Sequence, residues 1–332
     1  MRYLVTGGAG FIGSNFVRHL LAERPDAHVV NLDVLTYAGH LESLSDVQDD
    51  TRYRFVHGDV CDGALVRELT EGVDVVFNLA AESHVDRSII QDQPFVLTNV
   101  VGTATLLAAA LASGVRRFVQ VSTDEVYGEL PWSDPEGGSE GPRFTEDTPL
   151  APRSPYSATK AAADHLAMAY HTTHGLDVVV TRSSNNYGPY QHPEKLIPLV
   201  VGRAVADRSL PIYGDGLHVR DWIHVDDHCR GLLLAGEAGT AGRVYNFGGD
   251  AERTNLSVAR TVLEILGKPE SLIDFVEDRP GHDRRYAVDF SGATDELGWV
   301  PSVRFAQGLR QTVKWYGENA AWVAAVTVGR SE

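Results

Sequence analysis

The sequence predicts an α/β protein: a doubly wound parallel sheet with a smaller C-terminal lobe. Two observations predict it. Short β-branched runs alternate with helical patterns through the first half of the chain, and strict alternation builds a parallel sheet covered on both faces. The glycine-rich run Gly7-Gly8-Ala9-Gly10-Phe11-Ile12-Gly13 ends the first β run and opens the first helical one. At 332 residues the chain is long enough for one large domain and a lobe.

The expected strands are residues 2–6, 28–32, 54–57, 74–79, 117–122 and 177–182, and the expected helices are 11–23, 63–70, 95–113 and 156–174. Residues 1–195 form the expected sheet domain. After Leu196 the periodicity loosens, so 196–332 is expected mainly as a second lobe, with the run at 244–247 a candidate to rejoin the sheet. The helix at 95–113 carries Val96, Leu97, Val100, Val101, Leu106, Leu107 and Leu111. It is apolar nearly all round, so both sides are expected to be covered. One side suits the sheet; the other suits either a second subunit, together with the helix at 156–174, or the chain's own interior. Residues 129–153, rich in Pro, Gly and acids, read as a long surface loop, for which a lid and a plain connection are both consistent.

An apolar fraction of 43% is ordinary for a globular protein, and a net charge of −16 argues against nucleic acid or an anionic membrane as partner. An anionic substrate would then need local arginines. Cys61 and Cys229 are far apart and form no C-x-x-C, which fits a reducing cytoplasm. The N-terminal run reads as a strand, so no signal peptide is expected, and no apolar run is expected to reach the roughly 20 residues that span a bilayer.

The glycines permit a tight turn and close backbone approach, while the helix N-terminus offers free N–H groups to a pyrophosphate. Gly7, Gly10 and Gly13 are therefore expected to cradle a dinucleotide on a Rossmann-type sheet. Asp33 follows Gly13 by twenty residues, at the end of the second strand. Its carboxylate suits two ribose hydroxyls and would repel a 2′-phosphate, which favours NAD+ over NADP+. Asp59, after the third strand, is placed for the adenine.

Tyr156 and Lys160 stand four residues apart at the start of a helix and so share a face. A free phenol has a pKa of about 10 and is a poor base near neutrality. A nearby ammonium, with the nicotinamide cation, is expected to lower it, so that Tyr156 takes the proton of a substrate hydroxyl while a hydride leaves the carbinol. Asp124-Glu125 ends the apolar run at 117–122. Two carboxyls there suit a second step. Once a sugar C4 is a ketone, Glu125 as base can remove the acidified C5 proton and Asp124 as acid can protonate the departing C6 hydroxyl. Thr123 is expected to hydrogen-bond the C4 oxygen. The acid must stay protonated near pH 7, which burial and a like-charged neighbour favour. Consecutive strand residues point to opposite faces, so the backbone is expected to leave strand geometry at this pair.

Five runs carry a resemblance: Thr123-Asp124-Glu125-Val126-Tyr127-Gly128, Ala80-Ala81-Glu82-Ser83-His84-Val85-Asp86-Arg87-Ser88, Tyr156-Ser157-Ala158-Thr159-Lys160, Asn185-Asn186-Tyr187-Gly188-Pro189-Tyr190-Gln191 and Arg279-Pro280-Gly281-His282-Asp283-Arg284-Arg285-Tyr286. They are similar to the motifs of the dTDP-glucose 4,6-dehydratases, a family of the extended short-chain dehydrogenases, over about residues 2–323. The Asp-Glu pair is the most specific, since related epimerases and decarboxylases lack it. The resemblance implies a tightly held NAD+, a homodimer on a four-helix interface and dTDP-4-keto-6-deoxyglucose as product. It implies cofactor contacts at Phe11, Ile12, Asp33, Leu35, Thr36, Asp59, Val60, Leu79, Ala80, Ala81, Ser83, Thr98, Tyr156, Lys160 and Asn186. It implies substrate contacts at Ser83, Thr123, Asn185, Lys195, Leu196, Pro211, Tyr213, Arg220, Asn255, Arg279 and His282. Arg220 and Arg279 suit a fork grip on a diphosphate. Many members carry a longer C-terminal tail with a tyrosine against the nucleotide; no such tyrosine precedes Glu332.

His224-Val225-Asp226-Asp227-His228 has zinc-like spacing but lacks a glutamate after the first histidine. Asp226 or Asp227 is expected to cap the following helix, and no metal is expected. A nucleotide-sugar 4-epimerase or decarboxylase shares every feature except the carboxyl pair, and a non-catalytic nucleotide sensor is the third reading. The residues alone leave thymidine and uridine open.

Overall fold

The computed structural model describes residues 1–327 apart from 136 and 138–140. The first half alternates as β1 (Arg2–Thr6), α1 (Phe11–Glu23), β2 (His28–Asp33), β3 (Tyr53–His57), α2 (Gly63–Thr70), β4 (Val75–Asn78), α3 (Val85–Ile90), α4 (Gln93–Phe95), α5 (Thr103–Ala112), β5 (Arg117–Thr123), α6 (Pro155–His174) and β6 (Val178–Ser183). The remainder contributes β7 (Asn185–Tyr187), α7 (Leu196–Val205), β8 (Leu210–Tyr213), β9 (Val219–His224), α8 (Val225–Ala238), β10 (Val244–Phe247), β11 (Glu252–Thr254), α9 (Asn255–Leu266), β12 (Ile273–Val276), α10 (Ser291–Leu297), α11 (Phe305–Glu318) and α12 (Ala320–Thr327).

The main sheet has seven strands in the order β10-β6-β5-β4-β1-β2-β3, and every pairing in it is parallel. Strand order reverses between β1 and β4, so a crevice opens at their carboxyl ends. The strands read as unbroken apolar runs because both faces are covered: Leu4, Val5, Val76, Phe77, Phe118 and Val119 are fully buried.

The C-terminal residues divide between the two bodies. β10 pairs with β6 at the sheet edge. α8 packs on α1, because Val225, Cys229, Leu232 and Leu233 join the cluster of Phe16, Val17, Leu20 and Phe77. α10 packs on β10 and α8, and the rest builds a lobe around Tyr187, Ile197, Val200, Trp222, Val258, Leu309 and Val313, with small sheets β11-β9-β7 and β12-β8.

The helix expected at 95–113 departs from one regular α-helix. Val96–Gly102 is a π-helical stretch between α4 and α5. One of its residues, Gly102, lies against Val60, where an added Cβ would come within 2.5 Å of a Val60 methyl. Gln93–Ala112 is a 20-residue helical run whose most apolar 18-residue window has a mean hydropathy of 1.9, enough by length and composition to cross a membrane. This corrects the expectation that no run reaches that length. The stretch is partly built into the fold, with 44% of the window buried. It does not bury both sides in one chain: Val96, Leu97, Val101 and Leu111 are 36–47% exposed.

The loop expected at 129–153 is tied down along much of its length. Leu130 and Phe144 donate to the carbonyls of Arg285 and Ala287 at 3.1 and 2.9 Å, and Trp132 Nε1 donates to Leu217 O at 3.1 Å. Residues 136 and 138–140 of that loop lie outside the described residues.

Candidate active site

The groove at the switch point begins at the glycine turn. Gly7 takes φ +70°, and a Cβ there would stand 2.7 Å from Ala80 backbone atoms. At Gly13 a Cβ would stand 2.1 Å from Gly7 O, so only glycine lets helix and turn close. Gly10 caps α1 with no side-chain hydrogen bond, which leaves the first-turn N–H groups for an anion. Asp33 is nearly buried and accepts from the Ala9 and Leu35 amides at 2.9 and 2.8 Å. Those amides orient its carboxylate, and each oxygen keeps further acceptor capacity for a ribose hydroxyl. Burial pushes the Asp33 carboxyl upward, and the two amides oppose that push.

The groove wall contains Gly7, Gly10, Phe11, Ile12, Gly13, Asp33, Thr36, Asp59, Val60, Leu79, Ala80, Ala81, Ser83, Thr98, Tyr156, Lys160 and Lys195. A glycine cradle, a ribose-facing carboxylate and an apolar wall fit NAD+. Leu35 and Asn186 stand outside that wall. Leu35 takes φ +54° and packs inward. Asn186 commits its amide to Ser183 Oγ and Ser184 O, both at 3.0 Å, and its Oδ1 to His228 Nδ1 at 2.9 Å.

At the end of β5 the chain leaves strand geometry. Thr123 is the last strand residue, and Asp124–Tyr127 forms one turn of 3-10 helix. Thr123 Oγ1 accepts from Glu125 N and donates to Asp124 Oδ1, each at 3.3 Å. Gly128 ends the turn at φ +91° beside Ala151 O. The turn lets consecutive carboxyls serve one space. Asp124 is 2% exposed, and its Oδ2 is buried with no hydrogen-bond partner. Burial, then the Glu125 carboxylate, then Asp221 push Asp124 well above the usual carboxylate range. Asp221 is itself lifted to about 6 by burial. Glu125 is raised by burial too, but Arg279, Arg220 and Lys195 pull it back. Both carboxyls are thus raised, but Asp124 has one cation, Arg220, to oppose the rise, while Glu125 has Arg279, Arg220 and Lys195 against Asp283.

The start of α6 is fixed by Ser154 and Ser157, which form a reciprocal capping box, with Pro155 in the first turn. This sets Tyr156 and Lys160 against β5. The Tyr156 ring meets Phe95 edge-on at 6.4 Å, and its phenol is within hydrogen-bonding reach of Thr123. The expectation of a lowered phenol is not met by the protein groups. Burial, Glu125 and Asp124 hold Tyr156 well above its ordinary value. Lys160 is not among the leading influences on it; its Nζ donates to Val121 O at 2.6 Å.

On the lobe side the expected diphosphate fork is already engaged. Arg220 donates to the carbonyls of Val219 and Asp283 at 2.7 and 2.9 Å and lies 4.4 Å over the Tyr286 ring. Arg279 donates to Asp86 Oδ1 at 2.9 Å, and Tyr213 reaches the other Asp86 oxygen at 3.3 Å. Arg279 Nε, Asn185 Oδ1 and Asn255 Oδ1 are buried without hydrogen-bond partners, as a site awaiting a polar ligand would have them. Leu196 and Pro211 are half-buried, and Leu196 packs on the lobe core. Lys195 donates to Ser83 O at 3.2 Å, joining groove and lobe.

His282 stacks on His218 at 3.7 Å, and both approach Asp278, at 2.6 and 3.2 Å. The three ligand atoms lie within 4.8 Å of one another. Burial, Arg220 and Arg279 press His282 down to about 3, a cationic setting that opposes a metal ion. In the zinc-like run, His224 itself caps α8 by accepting from Asp226 N at 3.3 Å. Neither aspartate caps the helix; Asp227 instead accepts from Ser302 and Val303 amides at 2.9 and 2.8 Å.

Residues 4–312 match the family described as GDP-mannose 4,6 dehydratase. A dTDP-glucose 4,6-dehydratase of Streptomyces griseus is 54% identical over 321 residues, covering 96% of this chain and 95% of its own. The chain belongs to the dTDP-glucose 4,6-dehydratase family. The dTDP-glucose 4,6-dehydratase of Streptomyces venezuelae, crystallised with NAD, superposes with a TM-score of 0.94 at 51% identity, covering 98% of this chain and all of its own. The UDP-glucose 4-epimerase of Thermotoga maritima shares the fold at a TM-score of 0.87 and 30% identity, covering 96% of this chain and 100% of its own.

Several residues of this dehydratase-family site were not singled out from sequence. Tyr37, Glu82, Val121, Ser122, Gln191, His192 and Glu194 line the groove, and Asp221 and Asp283 face the carboxyl pair. Glu82, Gln191 and Asp283 lie inside the quoted motifs, a usable signal. The others lie outside them, on segments distant from one another in the chain.

Proposed function

We propose that the protein converts dTDP-glucose to dTDP-4-keto-6-deoxyglucose with NAD+ as resident cofactor. Gly7, Gly10 and Gly13 hold the pyrophosphate and Asp33 the ribose. When bound, NAD+ supplies the hydride acceptor and donor and a positive ring. Tyr156 accepts the C4 hydroxyl proton, and Thr123 holds the C4 oxygen. Glu125 then removes the C5 proton while Asp124 gives its proton to the C6 hydroxyl, which leaves as water. One observation carries this reading. Burial raises both carboxyls, Asp124 further than Glu125, whose rise Arg279, Arg220 and Lys195 oppose, and such a difference assigns acid and base to paired carboxyls. Incubation of the purified protein with dTDP-glucose will yield a 4-keto-6-deoxy sugar nucleotide by mass and NMR. An epimer without any 6-deoxy product would defeat the reading.

Residues 196–332, without α8, β10 and α10, make up the nucleotide-sugar lobe in this reading. The assembly is a homodimer through 95–113 and 156–174. Val96, Leu97, Val101 and Leu111 supply the exposed apolar stripe. Ala158, Ala162, His165 and Ala169 supply a small-sided companion at helical spacing. Leu97→Glu will halve the mass seen by sedimentation; an unchanged mass would reject this interface. The two free cysteines suit a cytoplasmic enzyme.

A further inference from the structure

Behind the redox pair, α6 carries a third ionisable side chain on the same face. Tyr156, Lys160 and Asp164 stand at i, i+4 and i+8. Asp164 is 1% exposed and Lys160 4%. From β6, Arg182 donates Nε to Asp164 Oδ2 at 2.9 Å. Its Nη1 donates to the Tyr127 hydroxyl at 2.9 Å, which in turn donates to Asn246 Oδ1 at 2.8 Å. Asp164, Arg182 and Tyr127 are absent from the groove wall, so none of them is placed to touch the dinucleotide.

A buried ammonium must find an anion or give up its proton. Burial brings Lys160 down to about 8, and the Asp164 carboxylate opposes that fall. The groups facing this pair are Arg182 from β6, the Ser122 hydroxyl from β5 and Tyr127 from the 124–127 turn, with Glu146 acting on Tyr127. A guanidinium stays charged under all ordinary conditions, so Arg182 gives Asp164 a permanent reason to remain ionised against its own burial.

We propose that Asp164 is a positioning residue: paired with Arg182, it acts through its charge, without a direct ion-pair contact, to hold protonated the Lys160 ammonium that donates to Val121 O on β5. The inference rests on the reading of Tyr156 and Lys160 as the redox pair, but its test does not depend on turnover.

The sequence contains only four lysines, Lys160, Lys195, Lys268 and Lys314. Carbon-13 lysine labelling of the purified full chain therefore gives few side-chain signals, and Lys160→Arg assigns the one that matters. In Asp164→Asn the Lys160 titration midpoint will fall by about one pH unit or more. The alkaline limb of kcat on dTDP-glucose will move down by the same amount, and Asp164→Glu will restore both. Should Asp164→Asn fail to fold, D164N/R182Q removes both charges at once. A smaller fall in the same direction is expected there, because loss of the Arg182 cation offsets part of the loss of Asp164, which stands one helical turn from Lys160 on the same element. An unchanged Lys160 midpoint in whichever variant folds would overturn the proposal, since a purely structural aspartate would leave it in place. If the wild-type chain does not turn over dTDP-glucose, the functional reading fails while the lysine titration still decides the role of Asp164.

Discussion

Tyr156→Phe will slow formation of the 4-keto-6-deoxy product by something like 10²–10⁴-fold, the loss expected when a positioned general base is removed. The change deletes one oxygen and little else. The Tyr156 amide keeps its hydrogen bond to Ser88 Oγ at 3.2 Å, and the ring keeps its edge contact with Phe95. Substrate affinity should therefore hold while kcat falls. The loss belongs to the first oxidation, so the near-ultraviolet absorbance of reduced nicotinamide will not develop on mixing with dTDP-glucose. The phenol is held above its ordinary value by burial and the two carboxyls, with Thr123 the one hydrogen-bond partner that favours ionisation. The positive ring that NAD+ supplies when bound would then have to favour the phenolate for Tyr156 to accept the C4 hydroxyl proton. Stopped-flow absorbance and product NMR check this. Near-normal turnover would remove Tyr156 from the mechanism.

The sheet was legible because its signals are local. The inner parallel strands β1, β4, β5 and β6 are short runs buried on both faces, and the first βα junction carries the glycine turn. The glycine turn, Asp33 and the Tyr156–Lys160 pair could be read by spacing alone, since one helix or one turn sets their geometry. The departure from strand geometry at Asp124 also followed from sequence, because two adjacent carboxyls cannot otherwise share a substrate; its form, a 3-10 turn, did not. What was not legible depends on contacts between distant segments. Lys160 looked free to act on Tyr156, yet β5 offers it the Val121 carbonyl. Arg279 looked ready for a diphosphate, yet Asp86, 193 residues earlier in the chain, already holds it. The π-helical stretch at Val96–Gly102 has no period that sets it apart from an α-helix, and the rejoining of α8 and β10 to the sheet depends on where their apolar faces find partners.

Asp124→Asn separates the two chemical steps. An amide keeps the shape of the carboxyl and can still accept from Thr123, but it has no acidic proton to give the C6 hydroxyl. Product formation will fall by roughly 10²–10⁴-fold, as for loss of a general acid, while oxidation at C4 continues. The absorbance of reduced nicotinamide will then accumulate on the enzyme, the opposite of the Tyr156→Phe outcome. A drop in product with no such absorbance would mean that Asp124 acts elsewhere. The same substitution also has a stability signature. The Asp124 carboxyl is raised in the folded state by burial, Glu125 and Asp221. Above an unfolded pKa of about 3.9 the unfolded chain therefore releases a proton that the native chain retains, and native stability falls as pH rises through that window. Replacing the carboxyl by an amide removes the effect. The variant should match the wild type in acid and exceed its melting temperature at neutral pH, so the protein gives up stability at this buried carboxyl to keep an acid in place. Equal melting temperatures from acid to neutral pH would show that Asp124 ionises normally and cannot be the proton donor.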